Sequence, residues 1–308
     1  ARLSGVRTMS SVVDVRHLEK RYGNFVAVED VTFSVEEGEI FGILGPNGAG
    51  KTTTVECLQG LRRADGGELS VLGHDPRRQG EQLRRRIGSQ LQESALPDRL
   101  KVWEALELFS SLIPGGPPWE ETLEEWGLGP KRDAAFGNLS GGQQQRLFIA
   151  LAVVNKPDLV FLDEMTTGLD PMARRGTWDL VRQIRASGTT VVLVTHFMDE
   201  AESLCDRIAV IKDRRVAALD TTDGLIARFG GPTRVTFSTE ATDLGFLRAI
   251  AEVDDVTRDG TRVAVSGRGA VLALVAAALV DAGIVPADLE VKRASLEDVF
   301  LTITRGEG

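Results

Sequence analysis

The feature that most constrains the fold is a glycine-rich segment, GPNGAGKTT, at residues 45–53. It follows the apolar run IFGIL at 40–44 and precedes a helical pattern at 51–61. Glycines let a backbone wrap closely around phosphate groups, and a helix that begins there adds the partial positive charge of its N-terminus. The segment fits G-x-x-x-x-G-K-[ST], a motif that requires this strand–loop–helix context. The sequence therefore predicts an α/β domain that binds a nucleoside triphosphate with Mg²⁺.

Every residue of this loop is a candidate ligand of the nucleotide. Successive backbone N–H groups point at the anion, the side chain of Lys51 reaches the β- and γ-phosphates, and the hydroxyl of Thr52 ligates Mg²⁺. The loop alone does not distinguish ATP from GTP. The predicted nucleotide ligands in it are Gly45, Pro46, Asn47, Gly48, Ala49, Gly50, Lys51, Thr52 and Thr53.

Short segments rich in β-branched residues alternate with helical patterns over most of the chain. This alternation is typical of an α/β domain with a largely parallel sheet. A stretch from about 98 to 155 interrupts it with helix-like segments around PGGPP and no clear strand, which predicts a helical insert. The predicted strands span 12–15, 31–35, 40–44, 68–72, 159–162, 190–195 and 207–211.

The composition changes at RFGGPTRV, residues 228–235. The elements predicted after it follow in the order β-α-β-β-α-β, which is that of a ferredoxin-like α+β domain. A last segment, SLEDVFLTITRG, has a Ser cap and an acidic first turn and predicts a terminal helix. The expected organisation is a flexible N-terminal extension at 1–11 with Met9 as a plausible natural start, an α/β domain at 12–230 and an accessory domain at 231–308. The predicted accessory elements are strands at 234–238, 253–258, 261–266 and 289–291, and helices at 243–251 and 270–280.

Charge and hydropathy restrict the partners. The net charge is −9, whereas nucleic-acid-binding domains are usually basic, so no nucleic acid is expected. The longest apolar run, at 270–280, is well below the ~18 residues that suggest a membrane span, and it predicts a buried helix of small residues. Cys57 and Cys205 lack metal-type spacing and are predicted to be core residues in a reducing compartment. We expect a soluble cytoplasmic protein that can dock on a membrane protein.

The stretch NKPDLVFLDEMTTGLD, residues 155–170, has two interpretations. Its first four residues match N-K-x-D, with which small GTPases bind guanine. Ligands of a parallel sheet bind beyond the carboxyl ends of strands, whereas NKPD precedes the strand LVFL. The match is therefore interpreted as coincidence. Asp163 and Glu164 follow the strand on the phosphate side, where they are predicted to bind Mg²⁺ and to activate the attacking water, respectively.

The segment LSGGQQQR at 139–146 resembles the signature motif of the ATP-binding subunits of ABC transporters. In that family the signature of one protomer closes over ATP bound by the other, so the resemblance implies a head-to-tail homodimer with ATP at the interface. It covers roughly 13–229. The signature residues that the resemblance implies act in trans are Leu139, Ser140, Gly141, Gly142 and Gln143.

Other residues match the family in order. Tyr22 takes the place of the aromatic that stacks on adenine, and Gln92 that of the glutamine that senses Mg²⁺ and couples to the membrane subunit, with Gln90 as the weaker choice. Asp170 matches the loop that contacts the partner protomer, and His196 matches the histidine that contacts the γ-phosphate.

The chain departs from the family pattern at one position and leaves two histidines unassigned. Met165 stands where the family usually has proline, which would restrict the backbone at the start of the loop toward Asp170. His17 and His74 have no comparable context and are interpreted as surface residues.

The resemblance implies an ATPase motor that works with integral-membrane permease subunits, peripherally at the cytoplasmic face of the cell membrane. The C-terminal part, with ASLEDVFL near its end, resembles the exporter subclass related to daunorubicin resistance, which implies efflux of a drug or another amphiphilic compound. The alternatives are a soluble ABC ATPase acting on ribosomes or DNA, and an ATP-binding regulatory module. The single nucleotide domain, the short spacing of the two motifs and the acidic charge disfavour the first. The intact motif set disfavours the second.

Overall fold

A computed structural model describes residues 10–90, 95–113 and 115–305. The chain forms two compact units, the first ending at Thr222 and the second beginning at Asp223. Ser11 already lies in the first strand, whereas the rest of the predicted N-terminal extension, up to residue 9, lies outside the described residues. No helix within the described ranges is both long and apolar enough to span a membrane.

The first unit is built on a sheet that contains nine strands within the described residues. They are β1 (Ser11–Tyr22), β2 (Phe25–Glu36), β3 (Ile40–Leu44), β4 (Gly66–Val71), β5 (Ile87–Gln90), β6 (Leu159–Asp163), β7 (Thr190–Thr195), β8 (Arg207–Lys212) and β9 (Arg215–Thr221). Their helices are α1 (Lys51–Leu58), α2 (Gly80–Arg84), α3 (Val102–Ser111), α4 (Trp119–Glu125), α5 (Gly141–Val153), α6 (Pro171–Ala186) and α7 (Met198–Leu204).

The sheet is mixed, whereas the sequence predicted a largely parallel one. Its order is β4-β1-β2-β9-β8-β3-β7-β6-β5, and the five strands from β8 to β5 run parallel. The pairs β4–β1, β1–β2 and β9–β8 are antiparallel. Short turns join β1 to β2 and β8 to β9, and such connections permit only antiparallel pairing. Every residue of β3, β6 and β7 is buried, as expected for central parallel strands covered on both faces.

Two strands were not predicted, β5 and β9. The sequence of β5, IGSQ, has little β-branched or aromatic character, and it becomes a strand by pairing in parallel with β6. Gly88 is required there because a Cβ would lie 1.8 Å from the carbonyl oxygen of Ala152. Strand β9 is a hairpin partner of β8, and tertiary pairing decides its conformation.

The insert between β5 and β6 is helical, as predicted. Helices α3, α4 and α5 and two 3₁₀ turns, Gly129–Lys131 and Phe136–Asn138, make up its regular structure. Within 95–113 and 115–155 no residue belongs to a strand, although Lys101 and Ala135 form an isolated bridge. The cysteines are buried as expected, Cys57 in α1 and Cys205 after α7.

The second unit has the predicted ferredoxin-like arrangement. Its sheet order, β11-β12-β10-β13, with antiparallel pairing throughout, is that of a βαββαβ domain. The apolar run near its end forms α10, which buries Val271, Val275 and Leu279 but leaves Val280 63% exposed, so only one face is buried. The elements are α8 (Thr222–Phe229), β10 (Thr233–Ser238), α9 (Gly245–Arg248), β11 (Val253–Asp259), β12 (Arg262–Gly267), α10 (Val271–Asp281), β13 (Glu290–Lys292) and α11 (Leu296–Arg305).

Candidate nucleotide site

The glycine-rich loop joins β3 to α1, and its glycines are sterically required. Gly50, the residue before α1, has φ +102°, and a Cβ there would lie 2.5 Å from the carbonyl oxygen of Ala27. At Gly45 a Cβ would lie 2.4 Å from the carbonyl oxygen of Ile211. The loop is therefore packed against β2 and β8, and the first turn of α1 points its free N–H groups toward the same side.

Lys51 lies buried beneath this loop. Its Nζ donates to the carbonyl oxygens of Gly45 at 2.9 Å and Pro46 at 3.2 Å. Burial lowers the pKa of Lys51, and the carboxylates of Glu164 and Asp163 oppose that effect. The ammonium group is thus held where it can neutralise the charge of a bound phosphate.

A cavity of about 310 Å³ lies above the loop. It contains Glu164 as well as loop residues, so the structure brings together two motifs that are more than 100 positions apart in sequence. Tyr22 is not among its lining residues, whereas Phe25, which pairs with Tyr22 across the β1–β2 hairpin, is. Sequence reasoning missed Phe25, although two aromatics flanking a hairpin turn were a usable signal. The lining residues are Phe25, Ala27, Asn47, Gly48, Gly50, Lys51, Thr52, Thr53 and Glu164.

Asp163 ends β6 at the phosphate side of the sheet. Its side chain is 3% exposed, and burial raises the pKa of its carboxyl from 3.8 to about 6 despite a hydrogen bond from Thr52 and the charge of Lys51. Its Oδ1 has no hydrogen-bond partner among the described residues. A buried carboxylate oxygen without a partner, next to a threonine hydroxyl, is the donor set that a hard divalent cation prefers. The predicted ligand Gln92 lies outside the described residues.

Glu164 and His196 are in contact. His196 follows β7, and its Nδ1 lies 3.1 Å from Oε1 of Glu164. An ionised carboxylate only accepts, so in that state the imidazole donates from Nδ1. Glu164 has φ +49°, a left-handed conformation that is costly for a residue with a side chain, and its N–H donates to the carbonyl oxygen of Val194 at 2.9 Å. The structure therefore holds the glutamate in a strained backbone geometry beside β7.

The signature segment begins α5. The hydroxyl of Ser140 accepts from the N–H of Gln143, and the side chain of Gln143 accepts in return from the N–H of Ser140. This capping box leaves the first turn of the helix at the surface, while Leu139 is buried. Among the described residues that line the cavity, none comes from 139–143.

A buried link joins α5 to β5, and sequence reasoning did not anticipate it. The Nε2 of Gln145 donates to Oε1 of Gln90 at 2.9 Å, and both side chains are buried. Gln145 belongs to the signature segment, and its partner 55 positions away is the glutamine that was the weaker choice for the Mg²⁺ sensor; no local pattern predicts that the two meet.

Asp170 and Met165 have clear structural roles in the loop after Glu164. The carboxylate of Asp170 caps α6 by accepting from the N–H groups of Met172 and Ala173, both at 2.9 Å. Met165 is 2% exposed and occupies the second position of a turn closed by a bond from Thr167 N to Glu164 O. That position accepts proline, so the methionine replaces a backbone restraint by buried apolar packing.

The NKPD segment lies at the amino end of β6, as inferred. Asn155 donates to the carbonyl oxygen of Phe109 at 3.0 Å. Asp158 pairs with Arg86 at 2.8 Å. These contacts explain the polar residues without a guanine. Of the two unassigned histidines, His17 is exposed and lies 3.0 Å from Asp30, whereas His74 is half-buried rather than at the surface.

Comparisons with known proteins agree with this geometry. The family model described as ABC transporter matches residues 28–167. The chain is 39% identical over 303 residues to the daunorubicin resistance ATP-binding protein DrrA3 of Streptomyces coeruleorubidus, with 96% of each chain covered. It is 43% identical over 219 residues to Nod factor export ATP-binding protein I of Burkholderia orbicola (strain AU 1054), covering 70% of this chain and 72% of that protein.

A solved structure described as the ATP-binding subunit of an ABC transporter is similar to this chain. It aligns with TM-score 0.63 and 29% identity, over 71% of this chain and 93% of that one. Together with a relative that is 39% identical along nearly the whole chain, the match is decisive. The chain belongs to the family of ABC transporter ATP-binding subunits.

Proposed function

We propose that the chain is the Mg²⁺-dependent ATP-hydrolysing motor of an ABC exporter. The observation that carries the proposal is the shared cavity of the glycine-rich loop and Glu164, with His196 3.1 Å from the glutamate. A nucleotide ligand set and a carboxylate that can activate water then face the same space.

Hydrolysis would use this chain's residues as follows. Lys51 and the loop N–H groups bind the β- and γ-phosphates, and Glu164 accepts a proton from the attacking water. The water oxygen forms a bond to the γ-phosphorus as the bond to the β–γ bridging oxygen breaks, so that ADP leaves with the electron pair. His196 orients the glutamate through Nδ1 and contacts the γ-phosphate.

The metal ligands would be Thr52, Asp163 and Gln92. The unpartnered Oδ1 of Asp163 supports this assignment, because a buried carboxylate oxygen is costly unless it is hydrogen-bonded or bound to a cation. A Mg²⁺ ion held by these residues would neutralise the charge that develops on the phosphate groups.

A head-to-tail homodimer would complete the site. The start of α5 at Ser140, Gly141 and Gly142 offers a second anion-binding helix N-terminus. Because it does not line the cavity of its own chain, the signature is available to the γ-phosphate bound by another protomer. Asp170 lies on the same proposed interface, and Tyr22, with Phe25, would pack on the adenine.

Permease subunits would dock on a groove of about 510 Å³ between α2, β5 and α3. Leu61 and Leu112 line it and are 48% and 67% exposed, an arrangement that suits an apolar partner segment. The side-chain amide of Gln59, 1% exposed, has no hydrogen-bond partner for Nε2 or Oε1 among the described residues. An amphipathic permease segment with one hydroxyl or amide group would satisfy both features, and it would hold the chain at the cytoplasmic face of the membrane.

Export of a drug or another amphiphilic compound is proposed from the relatives. The alignment with the daunorubicin resistance protein covers 96% of the chain and so includes most of the second unit. The Nod factor relative is also named for export, which favours an exporter over a ribosome- or DNA-acting ATPase.

The test of hydrolysis is Glu164→Gln. We expect the variant to bind ATP like the wild type and to lose about 100-fold or more in kcat, because a general base contributes at least that factor. Glu125→Gln, an exposed glutamate in α4, is the matched control and should retain wild-type turnover. Near-normal turnover by Glu164→Gln would exclude the proposed role of Glu164.

The dimer and the docking groove have separate tests. The Glu164→Gln variant with Mg-ATP should elute as a dimer, and adding Ser140→Arg should return it to a monomer. Leu112→Glu should abolish co-purification with the membrane permease while ATP binding is unchanged, whereas Leu301→Glu, a 39% exposed leucine of the second unit, should have no such effect. Co-purification that survives Leu112→Glu would place the permease elsewhere.

A further inference from the structure

We propose that Glu200, a residue with no part in the chemistry above, is a positioning residue that holds the Glu164 loop and the His196 segment in their reactive arrangement. The inference rests on the proposed hydrolysis and identifies what fixes its geometry. Glu200 lies in the first turn of α7, four residues after His196.

The side chain of Glu200 is 0% exposed and joins three elements. Its Oε1 accepts from the hydroxyl of Thr166 at 2.9 Å and from the indole Nε1 of Trp178 at 3.0 Å. The hydroxyl of Thr195 lies near the carboxyl and lowers its pKa, although Oε2 of Glu200 has no hydrogen-bond partner among the described residues. Thr166 lies in the loop after Glu164 and Trp178 lies in α6, so the carboxyl of Glu200 links both of these elements to α7, while Thr195 ends β7 nearby.

Two of these residues are close in sequence to the reactive pair. Thr166 is two residues after Glu164, and Thr195 immediately precedes His196. The hydroxyl of Thr195 also accepts from the N–H of Phe197 at 3.0 Å, so it fixes the backbone on the far side of His196. Movement of either segment would therefore change the 3.1 Å contact between Glu164 and His196.

The strained backbone of Glu164 explains why such a restraint is needed. A left-handed non-glycine residue persists only when its surroundings hold it in place. Here the bond from Glu164 N to Val194 O holds one side, and the turn closed by Thr167 N and Glu164 O holds the other. Thr166 lies inside that turn, so its bond to Glu200 anchors the turn to α7.

The surroundings of Glu200 are built to retain it. Arg174 stacks on Phe197 at 4.3 Å and pairs with Asp199 at 2.9 Å, covering the outer side of the segment. Burial raises the pKa of Glu200, while the nearby hydroxyl of Thr195, the hydrogen bonds from Thr166 and Trp178 and the charge of Arg174 oppose the rise. A buried carboxyl is costly to maintain where an apolar residue would fill the space, which suggests that its hydrogen bonds are needed.

The first experiment compares steady-state ATPase kinetics of Glu200→Ala and Glu200→Gln. The alanine variant should lose about 10- to 100-fold in kcat with KM for Mg-ATP within about 2-fold, because misplaced reacting groups reduce the rate without removing the phosphate ligands. Glutamine keeps an oxygen acceptor for Thr166 and Trp178 and should restore most of the rate. Glu202→Ala, an exposed position of the same helix, is the matched control and should match the wild type.

A second variant tests the same link in case Glu200→Ala fails to fold. Thr166→Val removes the hydroxyl at nearly constant volume, and its kcat should fall like that of Glu200→Ala while Thr166→Ser recovers. The double variant Glu200→Ala with Thr166→Val should be no slower than the slower single variant, since both break the same link. Additive losses, or a change in KM alone, would overturn the proposal.

A readout independent of hydrolysis separates this proposal from the proposed function. The chain has three histidines, so ¹³C-histidine labelling gives three ring signals, and the His196 signal is the one lost in His196→Ala. In the nucleotide-free protein that signal should shift in Glu200→Ala and stay in place in Glu200→Gln. An unshifted signal in Glu200→Ala would refute the positioning role, whereas a shifted signal in a protein without ATPase activity would refute only the proposed function.

Discussion

The buried carboxyl of Asp163 is expected to lower the folding stability of the first unit, and this cost can be measured. Asp163→Asn is expected to stabilise the nucleotide-free first unit at neutral pH although it removes a proposed metal ligand. The carboxyl is 3% exposed, and burial raises its pKa from 3.8 to about 6, with Glu164 adding to the rise. The bond from Thr52 and the charge of Lys51 do not compensate. An amide has no charge and avoids this cost.

The sign and size of the stability change caused by Asp163→Asn follow from proton linkage. A carboxyl whose pKa is higher in the folded than in the unfolded state binds more protons when folded, so stability falls as pH rises between the two values. A pKa difference of roughly 2 corresponds to a destabilisation of the folded state by about 3 kcal/mol. This destabilisation is fully present at pH 7.5, and it is absent at a pH well below the pKa of the carboxyl in the unfolded state. The advantage of Asp163→Asn should thus be about 3 kcal/mol at pH 7.5 and about half of that at pH 5.

The assay is urea unfolding followed by tryptophan fluorescence, with EDTA and without nucleotide. The four tryptophans all lie in the first unit, so the signal reports its unfolding alone. Adding Mg-ATP should stabilise the wild type and have little effect on Asp163→Asn, because a ligand stabilises only the state that binds it.

Asp158→Asn is the matched control at the other end of β6. Asp158 has a side chain 55% exposed and pairs with Arg86 at 2.8 Å, so its loss should be neutral or destabilising by up to about 1 kcal/mol. The reasoning is refuted if Asp163→Asn is no more stable than the wild type at pH 7.5. It is equally refuted if the advantage is the same at pH 5.

Two further predictions concern the loop and the adenine. Gly50→Ala and Gly48→Ala both place a side chain on a left-handed backbone, which destabilises the fold by about 1–2 kcal/mol in each case. A Cβ at position 50 would also lie 2.5 Å from the carbonyl oxygen of Ala27, whereas a Cβ at position 48 meets nothing within 4 Å. Gly50→Ala should therefore have the lower urea midpoint, and equal midpoints would contradict the packing of the loop. Phe25→Ala and Tyr22→Ala should each weaken binding of a fluorescent ATP analogue, by about 5-fold or more for the residue that stacks on the base. Unchanged affinity in both would exclude the β1–β2 hairpin from the adenine site.

Much of the fold was predictable because its signals are local. Strands β3 and β7 begin and end at the predicted residues, since continuous apolar runs between polar or glycine-containing segments leave little choice of boundary. The β-α-β-β-α-β order of the second unit came from the same kind of pattern. By contrast, β5 and β9 are strands because of their neighbours in the sheet, and α10 buries one face because of what packs against it.

Some features of the candidate site were likewise predictable from the sequence, whereas others depend on the tertiary structure. The sequence by itself determined the phosphate loop, the two carboxylates after β6 and the rejection of a guanine site, because phosphate binding needs particular residues at fixed local spacing. Only the tertiary structure decided that Phe25 lines the cavity and that Glu164 has a left-handed backbone. The same holds for the link between Glu200 and Thr166, 34 positions apart, because a buried hydrogen bond between distant residues depends on how the elements pack and leaves no periodic pattern in the chain.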